Sequence, residues 1–355
     1  MLSYLYRIGV RLRNAAYDRG IFRVHHVDVP VVSVGNITAG GTGKTPVVEH
    51  LLAHFTARGL RPAVVTRGYR RSTRGLFVVS DGSGSRQGVR QSGDEASQIA
   101  GKFPHAVVVA DEQRVRGCRH AATTFNADLI LLDDAFQHRA VARDFDIAVV
   151  DAQVGIDRLR LLPAGRLREP LENLGRADAV LLSRCEGAEQ AAQLKAGLAQ
   201  WTSAAVFATR FVVNGFRRFA PSSSAAMTTV DAPDAMLSPA GLAGKRVLAF
   251  CGIGSPRAFA LTLSEAGVDA AVFETFADHH WYAADDLRKL RAMADRADIS
   301  MFVTTEKDAV RLRDVDGSAE LTELWYPELR LEFIDGEEEF LTLLGDAVEA
   351  SASDS

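Results

Sequence analysis

The sequence predicts an α/β fold: a mostly parallel sheet with helices on both faces, followed by a second, smaller α/β unit. Three observations carry this expectation. From residue 29 onward, short β-branched runs alternate with helical segments, several runs are apolar throughout as doubly buried strands must be, and a Ser/Ala/Pro-rich stretch separates two such series. At 355 residues the chain is long enough for each series to bury its own core.

Taken in order, residues 1–20, "MLSYLYRIGVRLRNAAYDRG", place Leu2, Leu5, Ile8, Leu12 and Ala16 at helical spacing among Arg7, Arg11, Arg13 and Arg19. The interrupting arginines exclude a signal peptide, leaving either a helix packed on the protein's own core or a cationic helix lying in a membrane interface. Strands are expected at 29–34, 61–66, 106–110, 128–133, 146–151 and 178–183, with helices at 44–58, 93–103, 112–125 and 187–200. The stretch 217–244 reads as a connector or hinge. Beyond it, strands are expected at 245–253, 270–276 and 299–305 and helices at 256–267 and 284–297, before a frayed "ASASDS" tail. The domain scheme is therefore 1–28 for the N-terminal helix, 29–216, 217–244 for the connector and 245–350, with room for the C-terminal part to pack back on the first domain.

A composition of 47% hydrophobic and 24% charged residues with a net charge of −4 is ordinary for a globular protein and makes no global case for nucleic acid as a partner. Cys118, Cys185 and Cys251 lie far apart without a CxxC, which suits a reducing compartment such as the cytosol. No run approaches the roughly 20 apolar residues of a spanning helix.

"VVSVGNITAGGTGKTPVV" carries the chemistry. A buried strand enters a turn containing Gly40, Gly41, Thr42 and Gly43, and Lys44 and Thr45 then open a helix. Main-chain N–H groups can converge there on phosphate oxygens, Lys44 can reach the β- and γ-phosphates, and the Thr45 hydroxyl can ligate magnesium. This is a P-loop NTPase-type arrangement, except that Thr38 stands where the usual pattern has its first glycine. The run 129–132 ends in Asp133 and Asp134, where a carboxylate can hold Mg²⁺, and Gln137 follows within reach of a phosphate. "TTEKDAV" supplies no N-K-x-D element, so ATP is expected rather than a guanine nucleotide.

Other polar clusters supply candidate bases and charge stabilisers. They are Asp94 and Glu95 at a helix start, Arg67 and Tyr69 after a strand, Arg166, Arg168 and Glu169 in "LPAGRLREPL", and Asp278, His279 and His280 in "FADHHWY". Neither the histidine pair nor the cysteines offer the ligand spacing of a zinc site.

The ordered set "GNITAGGTGKTPVV", "TRGY", "GDEA", "DDAFQH", "LPAGRLREPL", "GIGSPRAF", "FADHHWY" and "TTEKDAVRL" resembles the tetraacyldisaccharide 4′-kinase family, the lipid A 4′-kinases of Gram-negative bacteria. The resemblance runs from the N-terminal helix to about residue 310, and a threonine in place of the first loop glycine is itself a mark of that family. It implies transfer of the γ-phosphate of ATP to the 4′-hydroxyl of a tetraacylated glucosamine disaccharide 1-phosphate at the cytoplasmic face of the inner membrane. It also implies that Asp94 acts as base with His279 in support, that Asp133 and Asp134 meet magnesium, and that Arg168, with Arg166 as the other spelling, serves the transferring phosphate. Asp94 and His279 fall in different expected domains, so hinge closure is expected to bring them together. An acylated substrate does not leave the bilayer cheaply, and the N-terminal helix is thereby expected to make peripheral contact with the membrane. Two other readings share the loop: a P-loop ATPase acting as a switch or assembly factor, and a soluble small-molecule kinase.

Overall fold

The computed structural model of the chain describes residues 2–84, 88–155, 159–221, 236–321 and 323–354. Helix α1 (Leu2–Asp18) precedes β1 (Val31–Asn36), α2 (Lys44–Ala57), β2 (Pro62–Thr66), β3 (Phe77–Asp81), α3 (Val89–Ser92), α4 (Asp94–Lys102), β4 (Val107–Ala110) and α5 (Arg114–Phe125). Next come β5 (Leu129–Asp133), β6 (Phe145–Asp151), β7 (Ala179–Ser183), α6 (Ala188–Leu198) and β8 (Ala205–Arg218). The remaining elements are β9 (Met236–Leu237), β10 (Arg246–Cys251), α7 (Pro256–Glu265), β11 (Asp269–Thr275), α8 (Ala284–Arg296), β12 (Phe302–Val303), α9 (Glu306–Leu312), β13 (Leu324–Phe333) and α10 (Glu337–Asp354).

The strands form one sheet in the order β11-β10-β12-β13-β8-β7-β6-β1-β5-β2-β4-β3, with β9 paired to β8. Strand alternation assigns each face its own helices. Val32, Val34, Val64, Leu129 and Leu131 pack against α2, α4 and α10. Their neighbours Val31, Ala63, Val65, Ile130 and Leu132 pack against Cys118 and Ala121 of α5 on the opposite face. Apolar strands in the sequence are thus doubly covered strands in the fold.

The two halves of the sheet share β8. Its first residues, Ala205–Ala208, pair in parallel with β7, and the remainder, Thr209–Arg218, pairs antiparallel with β13. The boundary expected at residue 216 therefore falls inside a strand, and half of the expected connector (222–235) lies outside the described residues. Of the strand expected at 299–305 only Phe302–Val303 forms, and the tail expected to fray continues α10 as far as Asp354. Phe340 of α10 meets Phe145, Phe207 and Phe333 with ring centroids 6.4, 5.5 and 5.3 Å apart, fastening that helix over the first half of the sheet.

Candidate active site

The glycine-rich loop joins β1 to α2, and close packing dictates its glycines. A Cβ on Gly35 would stand 2.4 Å from the main-chain nitrogen of Phe136, and one on Gly43, whose φ is +82°, would stand 2.2 Å from the Phe211 ring. Side chains outside the loop hold it open. Asn36 Nδ2 donates to Thr42 Oγ1 at 2.8 Å, Ser183 Oγ donates to the Thr42 carbonyl at 2.7 Å, and Arg184 Nη1 donates to the Gly41 carbonyl at 2.8 Å. Main-chain bonds from Ala39 to Arg166 and from Arg168 to Ile37, each 2.7 Å, tie it to the "LPAGRLREPL" segment. No side chain caps α2, so its first-turn N–H groups are left for an anion.

Lys44, the first residue of α2, directs Nζ to Asp134 Oδ1 at 3.4 Å. Arg168 Nη1 lies 3.0 and 3.2 Å from the two oxygens of the same carboxylate and 3.4 Å from Gln137 Oε1. Gln137 Nε2 donates in turn to the Asn36 carbonyl at 2.8 Å. Burial acts to raise the Asp134 pKa, but Lys44 and Arg168 outweigh it and hold the carboxyl below its usual range. Asp133, at the end of β5, is pushed up to about 6 by burial and then by Asp134, with Lys44 opposing. Its Oδ2 accepts from Thr66 at 3.3 Å, while its Oδ1 is buried without a partner.

A second cluster assembles from distant parts of the chain. Asp94 opens α4 behind Gly93, and its Oδ2 lies 3.1 Å from His279 Nδ1. The same oxygen accepts from Arg311 Nε at 2.9 Å and Nη2 at 2.5 Å. Burial acts to raise the Asp94 pKa, and the bonds from His279 and Arg311 overcome it, holding the carboxyl at about 2. His279 sits in the left-handed region at φ 60°, edge-on to the Tyr69 ring at 5.6 Å. Asp94 and His279, which hinge closure was expected to bring together, are paired across the two halves of the sheet. The reason is α9: Arg311 bonds to Asp94, the Gly252 carbonyl and Asp308 at once and locks the loops together.

The structure separates several other sequence candidates. Glu95 pairs with Lys307 at 2.8 Å and ties α4 to α9. His280 turns away from His279 to bond Asp286 at 2.9 Å and to stack on Phe276. Arg67, Tyr69 and Arg166 are exposed around the site. Glu169, expected among the substrate contacts, is instead fully buried and accepts from Asn173 at 2.6 Å, Arg176 at 2.8 Å and Asn14 at 3.3 Å. A carboxylate so enclosed is spent on bracing the turn beneath α1.

A family model described as tetraacyldisaccharide-1-P 4′-kinase matches residues 1–349. The chain belongs to that family. The tetraacyldisaccharide 4′-kinase of Chlorobium luteolum is 41% identical over 90% of this chain and 88% of its own length. That of Chlorobium phaeobacteroides is 37% identical over 98% of this chain and 96% of its own. The crystal structure of the "apo" form of LpxK from Aquifex aeolicus in complex with ATP superposes with a TM-score of 0.75 at 28% identity, covering 98% of this chain and 97% of that one. Membership of the tetraacyldisaccharide 4′-kinases makes this chain an ATP-using phosphotransferase. In this kinase the residue that reading the sequence left without a role is Arg311, although "TTEKDAVRL" contains it. The available signal was its i,i+3 spacing from Asp308, and the Asp94 contact, 217 residues away, gave none.

Proposed function

We propose that this chain transfers the γ-phosphate of ATP to the 4′-hydroxyl of a tetraacylated glucosamine disaccharide 1-phosphate, at the site built by Lys44, Asp134, Arg168, Asp94 and His279. The observation that carries the reading is the Asp94–His279 pair. Asp133 feels the charges of Lys44, Glu95 and Lys307, so the phosphate loop and this pair share one electrostatic neighbourhood. A switch ATPase has no need of such a pair; an alcohol acceptor, which must lose a proton as it attacks, does.

The α2 N-terminus and Lys44 bind the phosphates, and Arg168 offsets charge on the transferring group. Arg311 occupies the Asp94 oxygen that His279 also meets, which makes the carboxylate a poor proton acceptor at about 2. Asp94 Oδ2 already accepts two bonds from Arg311, so His279 takes the hydroxyl proton on Nε2 while its Nδ1 faces Asp94 at 3.1 Å, which sets the ring. This reverses the division of roles expected from the sequence.

Magnesium fits the residues present. Asp133 Oδ1 is a buried oxygen without a partner, the Thr45 hydroxyl is one residue past Lys44, and magnesium is typically held by one or two carboxylates together with substrate phosphates. Bound with ATP, the ion would offset phosphate charge; Thr45 and Asp133 would hold it, with Asp134 beside them.

Leu2, Tyr4, Leu5, Ile8 and Leu12 are exposed along one side of α1, and Ile21, Phe22 and Val24 continue that surface. No helix among the described residues is long and apolar enough to cross a membrane. Together with exposed Arg11, Arg19 and Arg23, this surface supports peripheral seating on an anionic bilayer, the cytoplasmic leaflet of the inner membrane. An assay with radiolabelled ATP and the acylated disaccharide 1-phosphate tests the function. Label should appear in the lipid only when Mg²⁺ and lipid are both supplied, and rapid ATP hydrolysis indifferent to the lipid would support the switch reading instead.

A further inference from the structure

Helix α1 has an inner face as well as its exposed apolar one, and that inner face ends on the catalytic loops. Tyr6 Oη donates to the main-chain carbonyl of Arg168 at 2.8 Å, and Arg13 Nη2 donates to the main-chain carbonyl of Gln137. Val10 and Asn14 are buried on the same stripe, and Ser3 Oγ accepts from the Ala164 N–H at 3.3 Å. In return, Arg139 Nη1 donates to the Asn14 carbonyl at 3.2 Å. The two carbonyls that α1 holds belong to the residues whose side chains meet at Asp134, where Arg168 Nη1 bonds both the carboxylate and Gln137.

We propose that Tyr6 and Arg13 are positioning residues for phosphoryl transfer. They fix the main chain of Arg168 and Gln137 so that the Arg168 guanidinium stays aligned on Asp134 and the transferring phosphate. The inference rests on the function proposed above and deepens it: the helix that meets the lipid surface also orders the arginine at the phosphate. The outer face of α1 serves location and its inner face serves the chemical step, in one rigid rod. Small displacements of a charge stabiliser are costly to rate, so a main-chain tether of this kind acts on kcat rather than on substrate affinity.

The test uses the full-length enzyme with Mg²⁺, ATP and the acylated disaccharide 1-phosphate in detergent micelles, where membrane partition does not limit turnover. Wild type without lipid-dependent turnover would sink the proposed function and this inference together. With an active wild type, Tyr6→Phe keeps the ring and removes one hydrogen bond, and kcat should fall about fivefold. KM for both substrates and binding to anionic vesicles should stay within about twofold. In an Arg168→Ala background the same Tyr6→Phe change should cost nothing further, because the group it positions is gone. Arg13→Met should likewise lower kcat, with partial recovery in Arg13→Lys. An unchanged kcat in both Tyr6→Phe and Arg13→Met, or an equal fold-loss from Tyr6→Phe with and without Arg168, would reduce these contacts to ordinary packing.

Discussion

Asp134 sits in the left-handed region at φ 50° and collects both Lys44 and Arg168, two cations that ATP phosphates would otherwise attract. The carboxylate thus holds the two phosphate-binding groups side by side. Lys44→Ala should remove about 10²–10³-fold of kcat while the melting curve stays near wild type, since the change deletes a charge at the α2 terminus and no core volume. Single-turnover transfer beside thermal unfolding separates the two effects. Arg311 is the opposite case. It is almost completely buried and bonds Asp94, Asp308 and the Gly252 carbonyl. Arg311→Met should cost both activity and roughly 3–5 kcal/mol of stability, because it leaves two buried carboxylates without their partner. Arg311→Lys should recover little of either, lacking the planar fork that serves three acceptors. A variant that keeps wild-type stability in urea titration would show that the pair is not holding the loops.

At the scale of elements, α1 is a sided rod. Leu5 and Leu12 are 57% and 66% exposed, whereas Val10 and Asn14 are buried against the catalytic loops. Leu5→Ser with Leu12→Ser should weaken binding to anionic vesicles by at least about tenfold, given about 0.8 kcal/mol for each methylene withdrawn from lipid. Vesicle co-sedimentation reads the change, and equal sedimentation of variant and wild type would return the exposed face to mere surface. Helix α9 shows how an element of only seven residues can decide a site. Thr305 Oγ1 caps it by accepting from the Asp308 N–H at 3.2 Å, and this sets Lys307 on Glu95 and Arg311 on Asp94.

Across the whole molecule, a buried polar cluster joins the phosphate-loop helix to the far half of the sheet. Gln98 Nε2 of α4 donates to Glu49 of α2 at 2.9 Å and to Glu306 of α9 at 3.0 Å, while Lys102 Nζ meets Glu49 at 2.6 Å. Burial and then Glu49 push the Glu306 carboxyl up to about 8; Glu328 of β13 adds to this, and Lys102 and Arg313 oppose it. The fold favours the protonated form, so this contribution is whole below the ordinary glutamate range and is lost as pH rises through about 8. The wild-type thermal midpoint should therefore drop more between about pH 6 and about pH 9 than that of Glu306→Gln, which carries no titrating proton there. Parallel slopes in the two proteins would show that Glu306 does not titrate in this window.

What the sequence determined by itself was local in origin. The apolar runs of β1, β5 and β7 declared doubly buried strands, and the loop glycines with Lys44 and Thr45 declared a phosphate site, because burial and turn geometry act between near neighbours. Strands β3, β8 and β13 and helices α9 and α10 were not recognised, although β8 and β13 form the antiparallel seam of the sheet. Their runs carry Arg210, Arg217, Glu328 and Glu332, whose charges pair across that seam, so neither strand looks like a core strand alone. The inward turn of Glu169, the splitting of His279 from His280, and Arg311 on Asp94 were likewise decided by tertiary structure. A side chain's orientation and its charge partner depend on which distant segment packs beside it, and no periodicity within a window of the chain encodes that.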